Sequence, residues 1–238
     1  MLIVSARKVT FGLLCLLFFV SAGLQAQTTH YFDQRRFNLG FTMGLAAASY
    51  DMSSQTNQVD PSTGRVVTRV DVITKPGIYL GLITNVKLHE YFDVRFMPSV
   101  SLEERDFLFY FDSTTTNQDP VIRKKIESSN LNLPLTVKFK SDFYRNTRVF
   151  VQFGIQPTFN LASSKKVRND PELLKTQNFD LAVLASVGID LYGDKLKLSP
   201  ELRFTRGLGN LYVPTRTRFP RAIIDLFSQL LVLNINFE

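Results

Sequence analysis

The chain has 238 residues, of which 45% are hydrophobic and 12% aromatic, and its formal net charge is +7. This apolar content is enough for one domain with a substantial core, so a chain that is disordered throughout is excluded. The basic excess is mild, without a dense basic run interleaved with aromatic residues, so no nucleic-acid partner is expected.

The first 26 residues have the pattern of a secretory signal peptide. Arg7 and Lys8 precede an apolar run that is too short to span a membrane comfortably. Cleavage is expected after Ala26, with Ala22 as the alternative position. Removal of this segment takes two positive charges from the chain, because it contains no acidic residue.

The mature chain is expected to start with a short periplasmic segment, residues 27–36, followed by one domain over residues 37–238. The only cysteine, Cys15, lies inside the signal segment. The mature chain would therefore have no thiol, no disulfide and no thiolate ligand for a metal. No cofactor is expected.

From residue 37 onward, apolar and polar residues alternate with a period of two, which is typical of a half-buried strand. In the segment LNLPLTVKF, every odd position from 131 to 139 is apolar. The same pattern occurs in eight segments, at residues 37–45, 78–88, 94–102, 131–139, 149–161, 179–191, 196–204 and 231–237. No helical period of comparable strength is present, so the chain is predicted to be all-β.

The connections between these segments alternate in length. Long polar stretches follow the first, third, fifth and seventh segments, at residues 51–75, 106–130, 162–177 and 206–228, and short turns lie at 89–92, 141–148 and 193–195. An even strand number with tight turns on one rim and long loops on the other is typical of outer-membrane barrels. The sequence therefore predicts a membrane-embedded, up-and-down antiparallel β-barrel of about eight strands. Its expected location is the outer membrane of a Gram-negative bacterium, with both termini in the periplasm.

The rows predicted to face lipid contain almost no charge, whereas the opposite rows carry charges of both signs. A secreted sandwich or lipocalin also alternates, but its outer row would be highly charged. Side chains just fill the interior of a barrel of this size, so the charges are predicted to pair inside it rather than line a pore. The predicted interior network is Arg95, Glu103, Arg105, Lys138, Asp180, Asp190, Lys197, Glu201 and Arg203.

Prolines and aromatic residues give two further expectations. Proline cannot donate to a β-ladder, so bulges or broken pairing toward strand ends are expected at Pro98, Pro134, Pro157 and Pro200. Aromatic residues near strand ends are predicted to form interfacial girdles, although a core position is the alternative for some. These residues are Tyr50, Tyr79, Tyr91, Phe92, Phe143, Tyr144 and Tyr192.

The residues do not indicate catalysis. Small barrels that modify lipid A act at the outer leaflet with a histidine-based site. The two histidines here, His30 and His89, are both expected on the periplasmic side. Glu103 and Glu104 alternate to opposite faces, and no metal-ligating cluster is present. The protein is therefore expected not to be an enzyme.

Two segments on the long-loop side are candidates for partner contact. The run FLFYF, residues 107–111, is apolar on both faces, and exposed apolar runs mark binding sites. The alternative is a strand that continues past the membrane and packs against another loop. The loop at 206–228 mixes aromatic and basic residues, and its arginines could instead face lipopolysaccharide phosphates. The partner-binding hypothesis comprises Phe107, Phe109, Tyr110, Phe111, Tyr212, Arg216, Arg218 and Phe219.

Several segments resemble the PorT family of small outer-membrane barrels. They are YFDQRRFNLGFTMG, IESSNLNLPLTVKFK, NTRVFVQFGIQPTFNLASSKK and LSPELRFTRGLGNL. The resemblance spans most of the mature chain, and residues 126–166 are its most specific part. It implies a component required for type IX protein secretion, which supports gliding motility in some bacteria, with other secretion-system membrane subunits as partners. The family offers no catalytic motif, and a structural or adhesive barrel without a secretion role remains the alternative.

Overall fold

The computed structural model describes residues 35–54, 58–59, 66–111, 121–161, 177–193, 196–211 and 223–238. Regular structure in these residues is entirely β-strand. The strands are β1 (Phe37–Ser54), β2 (Gln58–Val59), β3 (Val66–Thr74), β4 (Pro76–Lys87), β5 (Phe92–Phe96), β6 (Ser99–Phe111), β7 (Val121–Asn132), β8 (Leu135–Lys140), β9 (Thr147–Asn160), β10 (Phe179–Tyr192), β11 (Lys197–Gly207) and β12 (Ile223–Phe237). No helix in the described ranges is long and apolar enough to cross a membrane.

The strands form one antiparallel sheet that closes on itself. β1 pairs with β12 on one side and with β4 on the other, and β9, β10, β11 and β12 are consecutive neighbours. β3 and β4 follow one another along a single strand of the wall, as do β5 with β6 and β7 with β8. The ring therefore has about eight wall strands, which confirms the predicted fold.

Two interruptions of the wall strands fall at prolines. Pro98 lies between β5 and β6, and Pro134 lies between β7 and β8. The wall stays closed because a proline carbonyl still accepts a hydrogen bond, as from the Met97 N–H to Pro134 at 3.1 Å. The expected breaks thus occur at these two residues, but within the wall rather than toward strand ends. β9 and β11 continue through Pro157 and Pro200, but pairing beside both is locally broken, as expected. The β10–β11 ladder has no pair between Gly188–Glu201 and Leu191–Leu198, and β9 has no pair with β7 or β8 at residues 156 and 157.

The predicted loops at 51–75 and 106–130 are wrong over much of their length. β6 extends to Phe111 and β7 already begins at Val121, and β3 begins at Val66 and pairs with β6. The upper parts of β3, β6 and β7 form a three-stranded sheet that continues beyond the apolar wall, and we call it the β-extension (residues 66–75, 104–111 and 121–128). Beyond the membrane neither face of a strand must be apolar, so the alternation that marks strands is lost there.

The predicted loop at 206–228 is also shortened, because β12 begins at Ile223 and pairs with the upper part of β1. The loop predicted at 162–177 lies almost entirely outside the described residues, as do the signal segment and most of residues 27–36.

The apolar rows face outward around the wall. The side chains of Leu135 and Val183 are 47% and 44% exposed, whereas Thr136 and Ala182 beside them are buried inside the ring. Large apolar side chains on every wall strand are exposed in the same way. A continuous apolar belt of this kind is typical of a barrel embedded in lipid.

The girdle prediction is wrong for several aromatic residues. Tyr79 and Tyr192 are buried inside the barrel, and the Tyr50 ring lies 4.3 Å from the Arg105 guanidinium carbon. The two-residue alternation places these three side chains on the inward face of their strands. The face of the strand, and not its nearness to the strand end, therefore determines whether an aromatic residue lies inside the barrel or at the membrane interface. Tyr144, by contrast, is 75% exposed at a short turn.

Candidate functional site: the polar interior and the long-loop end

One buried ion pair lies toward the short turns. Lys138 Nζ is 2.8 Å and 2.6 Å from the two carboxylate oxygens of Asp190. The Ser199 hydroxyl donates to Asp190 at 2.6 Å, and Lys138 Nζ also lies 3.8 Å from the centre of the Phe150 ring. A glycine at 188 leaves room for that ring, because a Cβ there would lie 2.4 Å from it. These groups are removed from solvent, so each charge depends on its partners.

The last residue of the chain joins this region of the interior. The Glu238 carboxylate accepts from Arg95 of β5 and pairs with Lys197 of β11. Arg95 also donates through Nε to Asn85 at 3.2 Å, and Asn85 donates to Asp93 at 3.1 Å. The network therefore links strands on different sides of the ring through its centre.

A second group lies deeper in the barrel. The Arg203 guanidinium is 2.9 Å from Glu201 and donates to the Tyr79 hydroxyl at 2.9 Å. Asn236 donates to the other oxygen of Glu201 at 2.8 Å, and Ser99 donates to Tyr79 at 2.6 Å. Paired charges and polar side chains thus fill this level, as expected for an eight-stranded barrel.

The remaining predicted charges lie nearer the long loops. Arg105 pairs with Glu103 and donates to the Tyr50 hydroxyl at 2.8 Å. Asp180 accepts a hydrogen bond from the Ser228 hydroxyl. All nine residues of the predicted interior network are therefore inside, but the structure divides them into several groups.

A polar cavity of about 50 Å³ lies between the groups at the long-loop end. Its walls carry amide and hydroxyl groups, including those of Asn130, Asn132, Gln156, Thr158, Asn178 and Thr205. That volume is enough for a few ordered waters, which amides and hydroxyls can satisfy. The cavity is small and lined by polar groups, and it is too small to form an aqueous channel.

Sequence reasoning missed several interior residues. Lys140 and Asp93 form a buried pair at 2.8 Å, and Glu238 and Tyr79 belong to the groups described above. The signal was present, because Lys140 and Glu238 continue the polar rows of Lys138 and Asn236 at the next inward positions. Tyr79 was missed because it was assigned by its height along the strand instead of its face.

The outer face of the β-extension carries a second charge cluster. Glu104 pairs with Lys75 and, at 2.9 Å, with Lys125, while Asp106 pairs with Arg123 and, at 3.1 Å, with Lys75. Glu103 is buried inside, so Glu103 and Glu104 do face opposite sides. Hydrogen bonds from Lys75 and then Lys125 lower the pKa of Glu104, and that from Arg123 lowers the pKa of Asp106.

The FLFYF segment is the central strand of the β-extension. Phe107 lies opposite Val72 of β3 and Lys124 of β7, so its strand is paired with a neighbouring strand on both sides. This agrees with the alternative in which the strand continues beyond the membrane, and it leaves partner contact at Phe107, Phe109, Tyr110 and Phe111 as a hypothesis. The other candidates, Tyr212, Arg216, Arg218 and Phe219, lie outside the described residues.

Comparison with known proteins gives one family match. A family described as "Outer membrane protein beta-barrel domain" matches residues 25–213. No curated protein matches the chain.

Similar solved structures include three small outer-membrane proteins. OprG from Pseudomonas aeruginosa is 12% identical over 84% of this chain and 94% of that chain, with a TM-score of 0.49. Neisserial surface protein A is 8% identical over 85% and 98%, with a TM-score of 0.40. Ail of Yersinia pestis is 7% identical over 85% and 99%, with a TM-score of 0.37.

Proposed function

We infer that this chain, which belongs to the outer membrane protein beta-barrel domain family, is a non-enzymatic component of type IX protein secretion. It would act in assembly of the translocation machinery or as an accessory to it, by presenting its long-loop end to other membrane subunits. We assign the long-loop end to the outside of a Gram-negative cell and both termini to the periplasm, because outer-membrane barrels keep their short turns periplasmic.

The single observation that carries the mode of action in this proposal, contact in place of conduction, is the filled interior. Lys138 with Asp190 and Arg95 with Glu238 fill the interior toward the short turns, and Arg203 with Glu201 fills it at a deeper level. A barrel filled in this way offers no evident route for a folded or unfolded cargo chain. A role in secretion is then one of contact with other subunits, and not one of conduction.

The secretion role itself is supported by the resemblance to the PorT family at residues 126–166. The described part of this block, residues 126–161, runs from β7 through β8 and β9. It includes part of the β-extension and part of the wall, so it combines membrane anchoring with a surface beyond the belt. Lipopolysaccharide is the expected lipid neighbour of that surface.

The non-enzymatic assignment rests on the chemistry available at the long-loop end. Of the two histidines, His89 lies in a short turn and His30 is not among the described residues. The described residues contain no group of three or more histidine, cysteine or acidic side chains suited to a metal ion. The buried carboxylates of the interior are held by cations or hydroxyls, which suits structure better than acid–base catalysis.

A structural or adhesive barrel without a secretion role is the second candidate. It is favoured by the stable, filled interior, which needs no secretion partner to explain it. The two candidates differ in the effect expected when the protein is lost, because only the first requires loss of exported cargo.

The test is a gene deletion in the source bacterium, scored for exported type IX cargo and complemented with the wild-type chain. Loss of export that the wild type restores supports the secretion role. Normal export from the deletion strain would refute it and leave the structural or adhesive role.

Complementation with the variant Phe107→Ser/Phe109→Ser/Phe111→Ser tests the FLFYF hypothesis, with Leu108→Ser as the matched control on the same strand. If the run binds a partner, the triple variant assembles at normal abundance and fails to export cargo. If the run only packs within the β-extension, abundance and export fall together. Normal export at normal abundance would remove the run from the functional surface.

A further inference from the structure

Unpaired polar atoms of the interior converge on the cavity at the long-loop end. Within the described residues, four buried atoms without a hydrogen-bond partner belong to side chains in its wall: Arg105 Nε, Gln156 Oε1, Asp180 Oδ1 and Thr205 Oγ1. Buried polar groups in native proteins nearly always have a partner, so unpaired atoms around one space indicate that something polar occupies it. Ordered water can satisfy the neutral groups among them. Asp180 differs, because it carries a negative charge.

Asp180 is a buried carboxylate that neutral groups surround. The residue is 7% exposed, the Ser228 hydroxyl donates to Oδ2, and the backbone N–H groups of Leu181 and Gly209 face the carboxylate. No Lys or Arg of the described ranges pairs with it. A cation does pair with each of the other buried carboxylates of those ranges, which are Asp93, Glu103, Asp106, Asp190, Glu201 and Glu238. The negative charge of Asp180 is therefore left uncompensated.

Glycines at the end of β11 and just after it make room for this carboxylate. A Cβ at Gly207 would lie 2.5 Å from Asp180 Oδ2, and one at Gly209 would lie 3.4 Å from Oδ1. On β10 the next inward residue, Ala182, is buried in the cavity wall, and its small side chain leaves space below the carboxylate. The two glycines of the segment RGLGN thus permit the close approach of an acidic side chain, and the alanine leaves an open space beside it.

The neighbouring strand β9 supplies neutral acceptors to the same space. Thr158 lies opposite Asp180, and Gln156 lies opposite Ala182. Directly opposite side chains are about 5 Å apart at Cβ and diagonal ones about 7 to 8 Å, which a long side chain can cover. Gln156 Nε2 donates to Asn132 at 3.2 Å and to Thr158 at 3.3 Å. Its amide oxygen, Oε1, is left as an acceptor with no donor among the described residues.

A ligand with one positive charge and several N–H donors fits these groups. Arg105 on the cavity wall is already paired with Glu103, so the uncompensated charge is that of Asp180. A primary ammonium has three N–H donors and no acceptor, which suits a carboxylate beside neutral oxygens. A Ca²⁺ ion takes about six to eight oxygen ligands and binds tightly through several charged ones, which one carboxylate does not provide. A cavity of about 50 Å³ admits an ammonium group on a short carbon stem and excludes bulky ligands.

We propose that this cavity binds the ammonium group of a small primary amine, with Asp180 as its counter-ion and Gln156 and Thr158 as neutral acceptors. Charge-assisted hydrogen bonds to a buried carboxylate supply the binding free energy. Residues 177, 178 and 211 of the wall border the long loops, so the ligand enters from the long-loop end. The proposal goes beyond the proposed function and does not depend on it.

The direct test follows the NMR signal of carbon-13-labelled methylammonium during titration with the purified barrel in uncharged maltoside micelles at constant ionic strength. The proposal requires a saturable change in that signal, which unlabelled ethylammonium reverses. Tetramethylammonium has the same charge but no N–H group and a larger volume, so it should not compete. Absence of saturable binding would overturn the proposal and leave Asp180 neutralised by a proton. Equal competition by Na⁺ or tetramethylammonium, or stronger competition by Ca²⁺, would also overturn it, because the site would then not select an ammonium group.

Two variants separate the charge of the site from its space. Asp180→Asn keeps the shape of the side chain but removes its charge, and about a tenfold or greater loss of methylammonium affinity is expected. Ala182→Leu keeps the charge but fills the cavity, so it should also abolish binding. Glu104→Gln, which removes a carboxylate on the outer face of the β-extension, is the matched control and should bind normally. For variants that keep the heat shift on gels, unchanged binding by Asp180→Asn or lost binding by Glu104→Gln would contradict the assigned site.

Stability without ligand tests whether the chain itself supplies a cation to Asp180. Asp180→Asn removes an uncompensated buried charge and keeps an acceptor for Ser228, so the urea midpoint of the ligand-free barrel should stay the same or rise. Asp190→Asn, which removes the partner of Lys138, is the comparison and should lower the midpoint. An equal fall for both variants would show that a cation of the chain already pairs with Asp180, and this would overturn the proposal. Amine binding uses no secretion readout, so normal export from the deletion strain would refute the secretion role alone.

Discussion

At the scale of single residues, the interior depends on charges that have no access to water. Lys138 and Asp190 are both fully buried, and each is the nearest compensating charge of the other. Breaking such a pair leaves one charge uncompensated, whereas replacing both members by apolar residues is often neutral. Lys125 and Glu104 of the β-extension form the exposed counterpart, where water can replace a lost partner.

Lys138→Met is expected to lower the free energy of unfolding by about 3 to 5 kcal/mol, because Asp190 then stays buried without its cation. Urea unfolding of the refolded barrel, followed by tyrosine fluorescence, measures the change. The double variant Lys138→Met/Asp190→Leu should regain most of the loss. Lys125→Met is the matched control and should cost less than about 1 kcal/mol. Equal losses at 138 and 125 would contradict the buried pairing.

At the scale of elements, the β-extension differs from the wall in what holds it. Its strands lie beyond the apolar belt. On its outer face, Lys75, Arg123 and Lys125 form ion pairs with the two carboxylates of Glu104 and Asp106. Glu104 lies opposite Glu127 across the β6–β7 ladder, and Lys125 lies 2.9 Å and 3.2 Å from the two. The stability of this element therefore depends on the ionisation of those carboxylates.

Acid is expected to loosen the β-extension before the wall. The pKa values of Glu104 and Asp106 are lower when folded, mainly through hydrogen bonds from Lys75 and Arg123 respectively. Their stabilisation is therefore fully present above the ordinary carboxyl pKa of about 4 and is lost as the pH falls through the lowered values. Amide hydrogen-exchange protection in β3 and the upper part of β6 should fall below about pH 4.

The control for that experiment is Glu104→Gln/Asp106→Asn, in which the protection of the β-extension should be lower at neutral pH and change less with acid. Protection in the wall strands β10 and β11 serves as the internal reference. A parallel loss of protection in the extension and the wall would show that these two carboxylates do not govern the element.

At the scale of the whole molecule, ring closure and a filled interior act together. The β1–β12 ladder closes the ring, and Phe41 and Phe237 stack across it with ring centres 4.7 Å apart. Inside, Glu238 at the end of β12 reaches Arg95 across the barrel. A closed barrel with ion pairs across its interior should resist unfolding in detergent and conduct ions poorly.

The mature protein is expected to fractionate with outer membranes and to migrate faster on gels when unheated than when boiled. In planar bilayers it should give no stable channel conductance, because paired side chains occupy the interior. Arg203→Ala/Glu201→Ala, which empties one level of that interior, serves as the comparison and should conduct more readily. A soluble pool without a heat shift would contradict the barrel, and steady wild-type conductance would contradict the filled interior.

The sequence by itself determined the strands of the wall and the direction of their side chains. Alternation is a local property, so LNLPLTVKF was sufficient to predict that Leu135 faces outward and Lys138 inward. The same local rule would have identified Lys140, Tyr79 and Glu238. It could not find the upper parts of β6 and β7, because beyond the belt no solvent difference forces apolar residues onto one face.

Only the tertiary structure decided which residues meet. Lys138 and Asp190 are 52 positions apart in the chain, and Arg95 and Glu238 are 143 apart. Their contact depends on ring closure and on the stagger of every ladder between them, which no local pattern encodes. Alternation depends on one strand and its surroundings, whereas pairing and edges depend on the relative positions of all strands.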